Sequence, residues 1–173
     1  MTENTAQSEQ FTGLILLTGT DEAGFAASLF QTLAPFAVHV IDVEQIVINN
    51  RLILTVLIGA NPAHQSAIEL DLSTCASTLN VDIATLFGRS VISSIPPNLL
   101  VVHISASKLH PQSLALTTQM ITNVGANIEK ISRTSVNPVS IDITISGVPK
   151  KTIEAEIAAL VFENDTTISV SDL

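Results

Sequence analysis

The chain has 173 residues, enough for one medium domain or two small ones. Apolar residues make up 46% of the sequence and charged residues only 13%, which excludes a disordered chain and leaves ample material for a core. The net charge of −9, without a basic cluster, argues against nucleic acid or an anionic membrane surface as a partner.

The first half predicts a strand, a helix, two strands, a helix and a strand, in that order. After a disordered lead-in at 1–11, the first strand carries an apolar run from Leu14 to Leu17, typical of a buried strand. Asp21 is expected near the cap of the following helix, because a short carboxylate accepts free backbone N–H groups. Asn49-Asn50 predicts a hairpin turn, since asparagine tolerates positive φ. We expect the elements at 12–19, 23–35, 38–48, 52–58, 62–79 and 81–87.

The adjacent prolines Pro96-Pro97 interrupt this pattern, because two prolines in a row cannot occupy a central strand. The same order of elements then restarts. A shift of about 88 residues places the segment from Ala37 to Val40 on the segment from Gly125 to Ile128, which indicates an internal repeat. We expect the second set of elements at 99–105, 111–124, 126–134, 139–147, 150–162 and 166–170.

Each half therefore has the order βαββαβ. Right-handed crossovers place both helices of such a unit on one face of a four-stranded antiparallel sheet. The predicted fold class is α+β, with two tandem ferredoxin-like domains at 12–92 and 98–173 and a linker at 93–97. Each half is near the lower size limit for an independent core, so docking on the other half or on another chain would add stability.

The single cysteine, Cys75, cannot form an internal disulfide, and we interpret it as a small buried residue on a helix. The N-terminal segment 1–10 does not resemble a signal peptide, and no apolar run approaches the roughly 20 residues that cross a bilayer. We therefore expect a soluble, cytoplasmic protein. His64, His103 and His110 lie on separate elements without metal-like spacing, so no metal site is expected.

The segment from Thr18 to Leu29 resembles the opening of ACT domains, which are amino-acid-sensing modules with the same βαββαβ order. Val43-Glu44-Gln45, Asn50-Arg51-Leu52 and the segment from Gly125 to Glu129 are similar to the tandem ACT region of phosphoserine phosphatases of the actinobacterial type. Those enzymes convert O-phosphoserine to L-serine with a D-x-D motif and Mg²⁺ in a separate catalytic domain. No D-x-D motif occurs in these 173 residues. The resemblance thus implies a regulatory portion that is not an enzyme by itself and has no cofactor of its own.

In ACT domains the effector binds at the loop between the first strand and the first helix, often across an interface with a second module. The resemblance implies a homodimer and a small amino acid effector, L-serine foremost. A glycine lets a ligand approach the backbone, the first helical turn offers N–H groups to a carboxylate, and an acidic side chain suits an ammonium group. The implied ligand-binding residues are Gly19, Asp21, Ala23, Gly24, Phe25, His39 at the start of the second strand, and Asn127 at the equivalent position of the second half.

These candidates also have plainer interpretations. Gly24 either admits a ligand or only permits close packing of the helix on the strand, and an aspartate at the position of Asp21 is more often a helix cap than an ammonium partner. His39 and Asn127 are also natural turn formers at a strand entrance. The second loop, from Ser105 to Pro111, contains no glycine, which argues against a second site. The first loop would be completed by Asn127 from the other half or from a second subunit.

Two other functions stay open at this point. The chain is alternatively a dimerisation module with no effector, because apolar strands and low charge predict faces or edges that need covering. An enzyme is disfavoured, since Ser28, Ser105 and Ser113 have no evident histidine and acid beside them, and Asp142 has no second acid.

Overall fold

The computed structural model describes residues 9–91, 96, 98–162 and 165–173, and the chain divides into two compact units, Met1–Ser93 and Ser94–Leu173. The first unit contains β1 (Glu9–Thr20), α1 (Phe25–Leu33), β2 (His39–Ile48), β3 (Arg51–Gly59), a 3₁₀ turn (Pro62–His64), α2 (Gln65–Leu79) and β4 (Asp82–Val91). The second unit contains β5 (Leu100–Ala106), α3 (Pro111–Asn123), β6 (Asn127–Val136), β7 (Val139–Ser146), α4 (Lys150–Ala159) and β8 (Thr167–Asp172). The predicted order βαββαβ is confirmed in both.

Each unit is built on a four-stranded antiparallel sheet. The strand orders are β2-β3-β1-β4 and β6-β7-β5-β8, which confirms the predicted ferredoxin-like class. In the first sheet β3 runs antiparallel to both β1 and β2, so β1 and β2 are parallel to each other. Asn127 begins β6 as His39 begins β2, 88 positions earlier, and the predicted repeat register is therefore confirmed.

The core of the first unit lies between one face of its sheet and the two helices. Ile15 and Leu17 of β1 pack with Leu29 of α1 and Ile68 of α2, and none of the four exposes side chain to solvent. Burying an aliphatic side chain of this size contributes about 1.5–3 kcal/mol. The helices are held by their apolar faces, as their 3.6-residue periodicity predicts.

The second core repeats this arrangement. Val102 and Ile104 of β5 and Ile143 of β7 are fully buried against Ile121 of α3 and Ile153 of α4. The two halves therefore use equivalent strand faces for their cores.

Several boundaries differ from the prediction. β1 begins at Glu9, so residues 9–11 belong to the strand and the expected lead-in is wrong there, whereas 1–8 lie outside the described residues. Residues 93–95 and 97 of the predicted linker also lie outside them. The run from Leu14 to Leu17 is not buried throughout, because an antiparallel sheet with helices on one face buries alternate side chains: Leu14 and Leu16 remain 42% and 36% exposed.

The turn and cysteine predictions are confirmed. Asn49 and Asn50 have φ values of 47° and 63° and connect β2 to β3. Cys75 lies on α2 and is 8% exposed. Because both asparagines take the left-handed conformation, the hairpin needs no glycine.

Candidate functional site

The predicted effector loop connects β1 to α1 and lies beside the hairpin between β2 and β3. Thr20, the last residue of β1, is in register with Arg51, and the backbone N–H of Asp21 donates to the carbonyl oxygen of Asn50 at 3.0 Å. Residues 21–24 are all exposed. The hairpin thus fixes the start of the loop, while the rest of the loop faces solvent.

Gly24 precedes α1 in a left-handed conformation, with φ of 100° and ψ of −8°. A Cβ added at this position would meet nothing within 4 Å. Gly24 is therefore required by the backbone conformation and leaves open space in front of the helix, so close packing of the helix on the strand is not its role. No side chain caps α1, which leaves the N–H groups of its first turn facing the loop.

The expectation that Asp21 caps this helix is wrong. The cap position is occupied by Gly24, and α1 begins at Phe25. The physical reason is that the chain continues along the sheet as far as the hydrogen bond between Asp21 and Asn50, and turns into the helix only at the left-handed glycine. The Asp21 carboxylate is consequently exposed and not committed to the helix.

Close packing, which the sequence analysis considered for Gly24, is instead the role of Gly19. A Cβ at Gly19 would lie 2.8 Å from Cγ1 of Val81, closer than such carbons approach in proteins. Phe25 is also a packing residue, since its side chain is 6% exposed and belongs to the first core. Of the five loop candidates, only Asp21, Ala23 and Gly24 face solvent.

His39 lies at the opposite end of the sheet from this loop. It is in register with Gly59, which pairs with Thr12 of β1, eight residues before Thr20. A strand rises about 3.3 Å per residue, so His39 and the loop are separated by about 26 Å within one unit. The ring nitrogen Nε2 of His39 contacts Nε2 of Gln10 at 3.0 Å.

Asn127 has the equivalent position in the second sheet, at the end of β7 occupied by Ser146. Its Nδ2 donates to Oε1 of Glu129 at 2.8 Å, and Ser146 Oγ donates to the same oxygen. These two hydrogen bonds, that of Ser146 foremost, hold the pKa of Glu129 below its ordinary value.

Neither unit brings its loop and its strand-entrance residue together. The order of elements contained this signal, because strands joined through one helix are parallel.

The second loop has a cavity that the sequence did not indicate. About 560 Å³ of space lies at the start of α3, and it is lined by His110, Pro111, Gln112, Ser113, Leu116, Val161 and Phe162. Ser113 is 6% exposed. The loop itself is fixed by Ser107, whose backbone N–H donates to Oδ2 of Asp165 at 3.0 Å. Hydrogen bonds from Ser107, its side chain foremost, lower the pKa of Asp165. Because the second loop has no glycine, its sequence motif did not indicate a cavity there.

The second sheet also carries a hydrogen-bonded trio on the face away from its helices. His103 contacts Asp142 through Nδ1 and Ser171 through Nε2, both at 2.8 Å. The side chains of His103 and Asp142 are 41% and 27% exposed. Such a trio makes its serine a nucleophile only where hydrogen-bond donors are also aimed at the developing oxyanion. We assign the trio the role of satisfying polar groups on a solvated sheet face.

Within the described residues, no group of three or more histidine, cysteine and acidic side chains is arranged to hold a metal ion. In the same part of the chain, no helix has both the length and the apolar character needed to cross a membrane.

Comparisons with known proteins agree with this geometry. Residues 12–85 match the family model of the ACT domain. Phosphoserine phosphatase from Streptomyces coelicolor is 26% identical over 157 residues, which is 84% of this chain and 36% of that protein. Phosphoserine phosphatase SerB2 from Mycobacterium tuberculosis is 26% identical over 129 residues, 73% of this chain and 32% of that protein. The chain thus spans about a third of the length of these relatives.

Two solved structures share the whole fold. A proposed glycine cleavage system transcriptional repressor superimposes with a TM-score of 0.76 at 16% identity, covering 96% of this chain and 99% of that one. An unknown protein from Galdieria sulphuraria gives 0.73 at 13% identity with the same coverage. The first unit matches the ACT domain over residues 12–85, and the second unit has the same strand order. More specifically, the resemblance of the tandem to the ACT-type region of phosphoserine phosphatases is confirmed.

Proposed function

We propose that this chain is the regulatory module of a phosphoserine phosphatase and that it binds a small amino acid, L-serine foremost, without a metal or other cofactor. The observation that carries the proposal is the start of α1: Gly24 leaves open space in front of a helix that no side chain caps. A regulatory ligand acts only through a difference in its affinity for two states of the protein.

The loop offers complementary groups to a zwitterion. Backbone N–H groups in the first turn of α1, from Phe25 to Ala27, suit the α-carboxylate, because the positive end of the helix dipole adds to their hydrogen bonds. The exposed carboxylate of Asp21 suits the α-ammonium group. Ala23 lies between Asp21 and Phe25 in the chain and is also exposed.

The strand-entrance residues enter the site only through association with another module. His39 lies about 26 Å from the loop of its own unit, as the strand rise requires. Two modules placed side by side in opposite directions would bring the entrance residue of one, His39 or Asn127, to the loop of the other. The proposal therefore includes a homodimer whose formation and effector binding favour each other.

The decisive experiment is thermal unfolding of the chain with millimolar L-serine, with D-serine as the control. A ligand at 100 times its dissociation constant stabilises the folded state by about 2.7 kcal/mol. We expect an upward shift in Tm with L-serine and none with D-serine. A flat response to all standard amino acids, at concentrations up to 10 mM, would remove the effector from this proposal.

Two variants locate the site. Gly24→Val fills the space in front of α1 and should abolish the response, while Gly88→Val, at a second glycine with nothing within 4 Å of an added Cβ, should keep it. Leu116→Trp narrows the cavity of the second loop, and Leu116 is 41% exposed, so this variant should fold. A response that survives Gly24→Val but disappears in Leu116→Trp would assign the effector to the second loop.

The alternative is a dimerisation module without an effector, and one observation favours it. β2 is an edge strand that exposes apolar side chains on both faces, with Val43 50% and Ile46 42% exposed. A strand that is apolar on both faces is typical of a sheet interior. A stable dimer in light scattering, unchanged by any amino acid and by Gly24→Val, would favour this function over sensing.

A further inference from the structure

The first helices of the two units, α1 and α3, can be compared residue by residue. The shift of 88 positions that relates β2 to β6 also relates their buried faces. Leu33 corresponds to Ile121, and these two side chains are 3% and 0% exposed. Leu29 and Thr117 correspond one turn earlier, and both are fully buried. The buried positions of α3 therefore fill the same places in the second unit as those of α1 fill in the first.

The first turn is where the two helices differ most in side-chain size. Phe25 and Ser113 correspond under the same shift, and each is 6% exposed. The first unit fills this place with an aromatic ring that packs in its core, whereas the second unit has only a hydroxymethyl group there. The cavity of about 560 Å³ described above adjoins Ser113. Because protein interiors are close-packed, space of this size at a core position indicates room for a ligand.

The polar groups that line the cavity lie together at the start of α3. His110 and Gln112 are exposed there, and Ser113 is buried. The Ser113 hydroxyl oxygen lies 3.5 Å from Oγ1 of Thr166, which is long for a hydrogen bond between two hydroxyl groups. This buried hydroxyl therefore retains most of its capacity to donate to a group inside the cavity.

The rest of the lining is apolar. Leu116 lies one turn further along α3, and Val161 and Phe162 follow the end of α4. Leu116 and Val161 are 41% and 85% exposed, so both gain from being covered by an apolar group. The volume of the cavity is within the range of about 300–1,000 Å³ that is usual for small-molecule sites.

The charges around the cavity do not suit an amino acid. Among the described residues that line it, none is acidic, although the chain has 16 acidic residues. In the first loop Asp21 is available to an ammonium group, but the residue that corresponds to it is Leu109. Asp165 accepts a hydrogen bond from the backbone of Ser107 and is not part of the lining described. An ammonium group in this cavity would therefore lose its hydration without gaining a charged partner.

We propose that this cavity binds a small carboxylic acid that has an apolar body and no amino group. Its carboxylate accepts hydrogen bonds from the hydroxyl of Ser113 and from side-chain N–H groups of His110 or Gln112. The positive end of the α3 dipole, which no side chain caps, strengthens these bonds. The apolar body lies against Leu116 and Phe162. This site needs no loop glycine, and its ligand differs in chemical class from the zwitterion proposed for the first loop.

Methyl NMR of the full chain, titrated with 3-phenylpropanoate up to about 10 mM, tests the proposal. Leu116 and Val161 carry methyl groups at the cavity, and we expect their signals to shift saturably. L-phenylalanine has the same body and carboxylate with an added ammonium group, and it should bind at least about tenfold more weakly. The alcohol 3-phenylpropanol lacks the carboxylate and should also bind at least about tenfold more weakly.

Ser113→Phe gives the second unit the residue that the first unit has at this place, and it should abolish the shift. This variant should fold, because Phe25 is accommodated at the same exposure. Leu116→Trp is a second variant that fills the cavity, from a partly exposed position. The matched control is Gln119→Phe, which adds a ring on the exposed face of α3 outside the lining described and should leave the dissociation constant unchanged. Circular dichroism confirms folding of each variant.

The opposing outcomes are equally concrete. Signals of Leu116 and Val161 that do not move up to about 10 mM 3-phenylpropanoate would overturn the proposal. A shift that persists in folded Ser113→Phe or Leu116→Trp would show that the ligand binds elsewhere. Equal binding of L-phenylalanine or of 3-phenylpropanol would show that the chemical class is wrong. No L-serine is present and the first loop is unchanged, so failure here is distinguishable from failure of the thermal-shift experiment.

Discussion

Substitution of Gly19 by alanine tests whether this loop residue serves packing or ligand binding. The added Cβ would lie 2.8 Å from Cγ1 of Val81 and 3.4 Å from its Cβ, in a region that belongs to the first core. Overpacking of this kind costs about 1–3 kcal/mol. Gly19 has no positive φ, unlike Gly24, so backbone strain adds nothing to this cost.

The clash has one identifiable partner, which makes the reasoning refutable. Val81→Ala removes Cγ1 and by itself should cost roughly 1 kcal/mol, since Val81 is only partly buried. In the double variant Gly19→Ala with Val81→Ala, the new methyl occupies the vacated space. We expect a favourable coupling free energy of about 1–2 kcal/mol between the two substitutions.

Urea unfolding followed by circular dichroism measures all three variants, with Gly88→Ala as the control at an unobstructed glycine. Free energies of unfolding that add within about 0.5 kcal/mol would show that Val81 does not oppose the added methyl. Gly19 would then require another explanation, and a ligand contact would be the first to examine.

Three further predictions concern Gly24, Leu29 and Glu129. Gly24→Ala should lower the free energy of unfolding by about 1–2 kcal/mol through left-handed strain alone, measured against Gly88→Ala in urea. Leu29→Ala, at a fully buried position, should lower it by about 2–5 kcal/mol in the same assay. Carboxyl NMR should show Glu129 titrating below its ordinary value of 4.5, and Ser146→Ala should raise that pKa. Because the folded pKa is depressed, the associated stability is present above the unfolded value and is lost as pH falls through the folded one.

Local patterns were sufficient for the elements and their order. Period 3.6 placed α1, period 2 placed β7, and Asn49-Asn50 placed the hairpin, because each of these features depends on a few neighbouring residues. The repeat register, linking His39 to Asn127, also followed from pattern alone. Agreement between these independent signals is what made the fold class predictable.

The roles of the loop residues could not be read in the same way. Gly19 and Gly24 look alike in sequence. Gly19 nevertheless packs against Val81, whereas Gly24 faces open space. Asp21 looked like a helix cap, but a hydrogen bond to the distant Asn50 keeps the chain on the sheet past that residue. Each role depends on an atom contributed by a residue far along the chain, and a local motif contains no information about that atom.

The amino-acid sequence by itself determined two βαββαβ units with aliphatic cores, because hydrophobic periodicity and turn chemistry act within a few residues of each position. Tertiary structure alone decided that Gly19 packs against Val81 and that Asp21 stays on the sheet, since Val81 and Asn50 are remote in the chain. It also decided which leucines of β1 meet the helices and which remain exposed on the opposite face of the sheet. Burial of alternate residues follows only when one side of the sheet is covered, and that covering is made by helices remote in the chain.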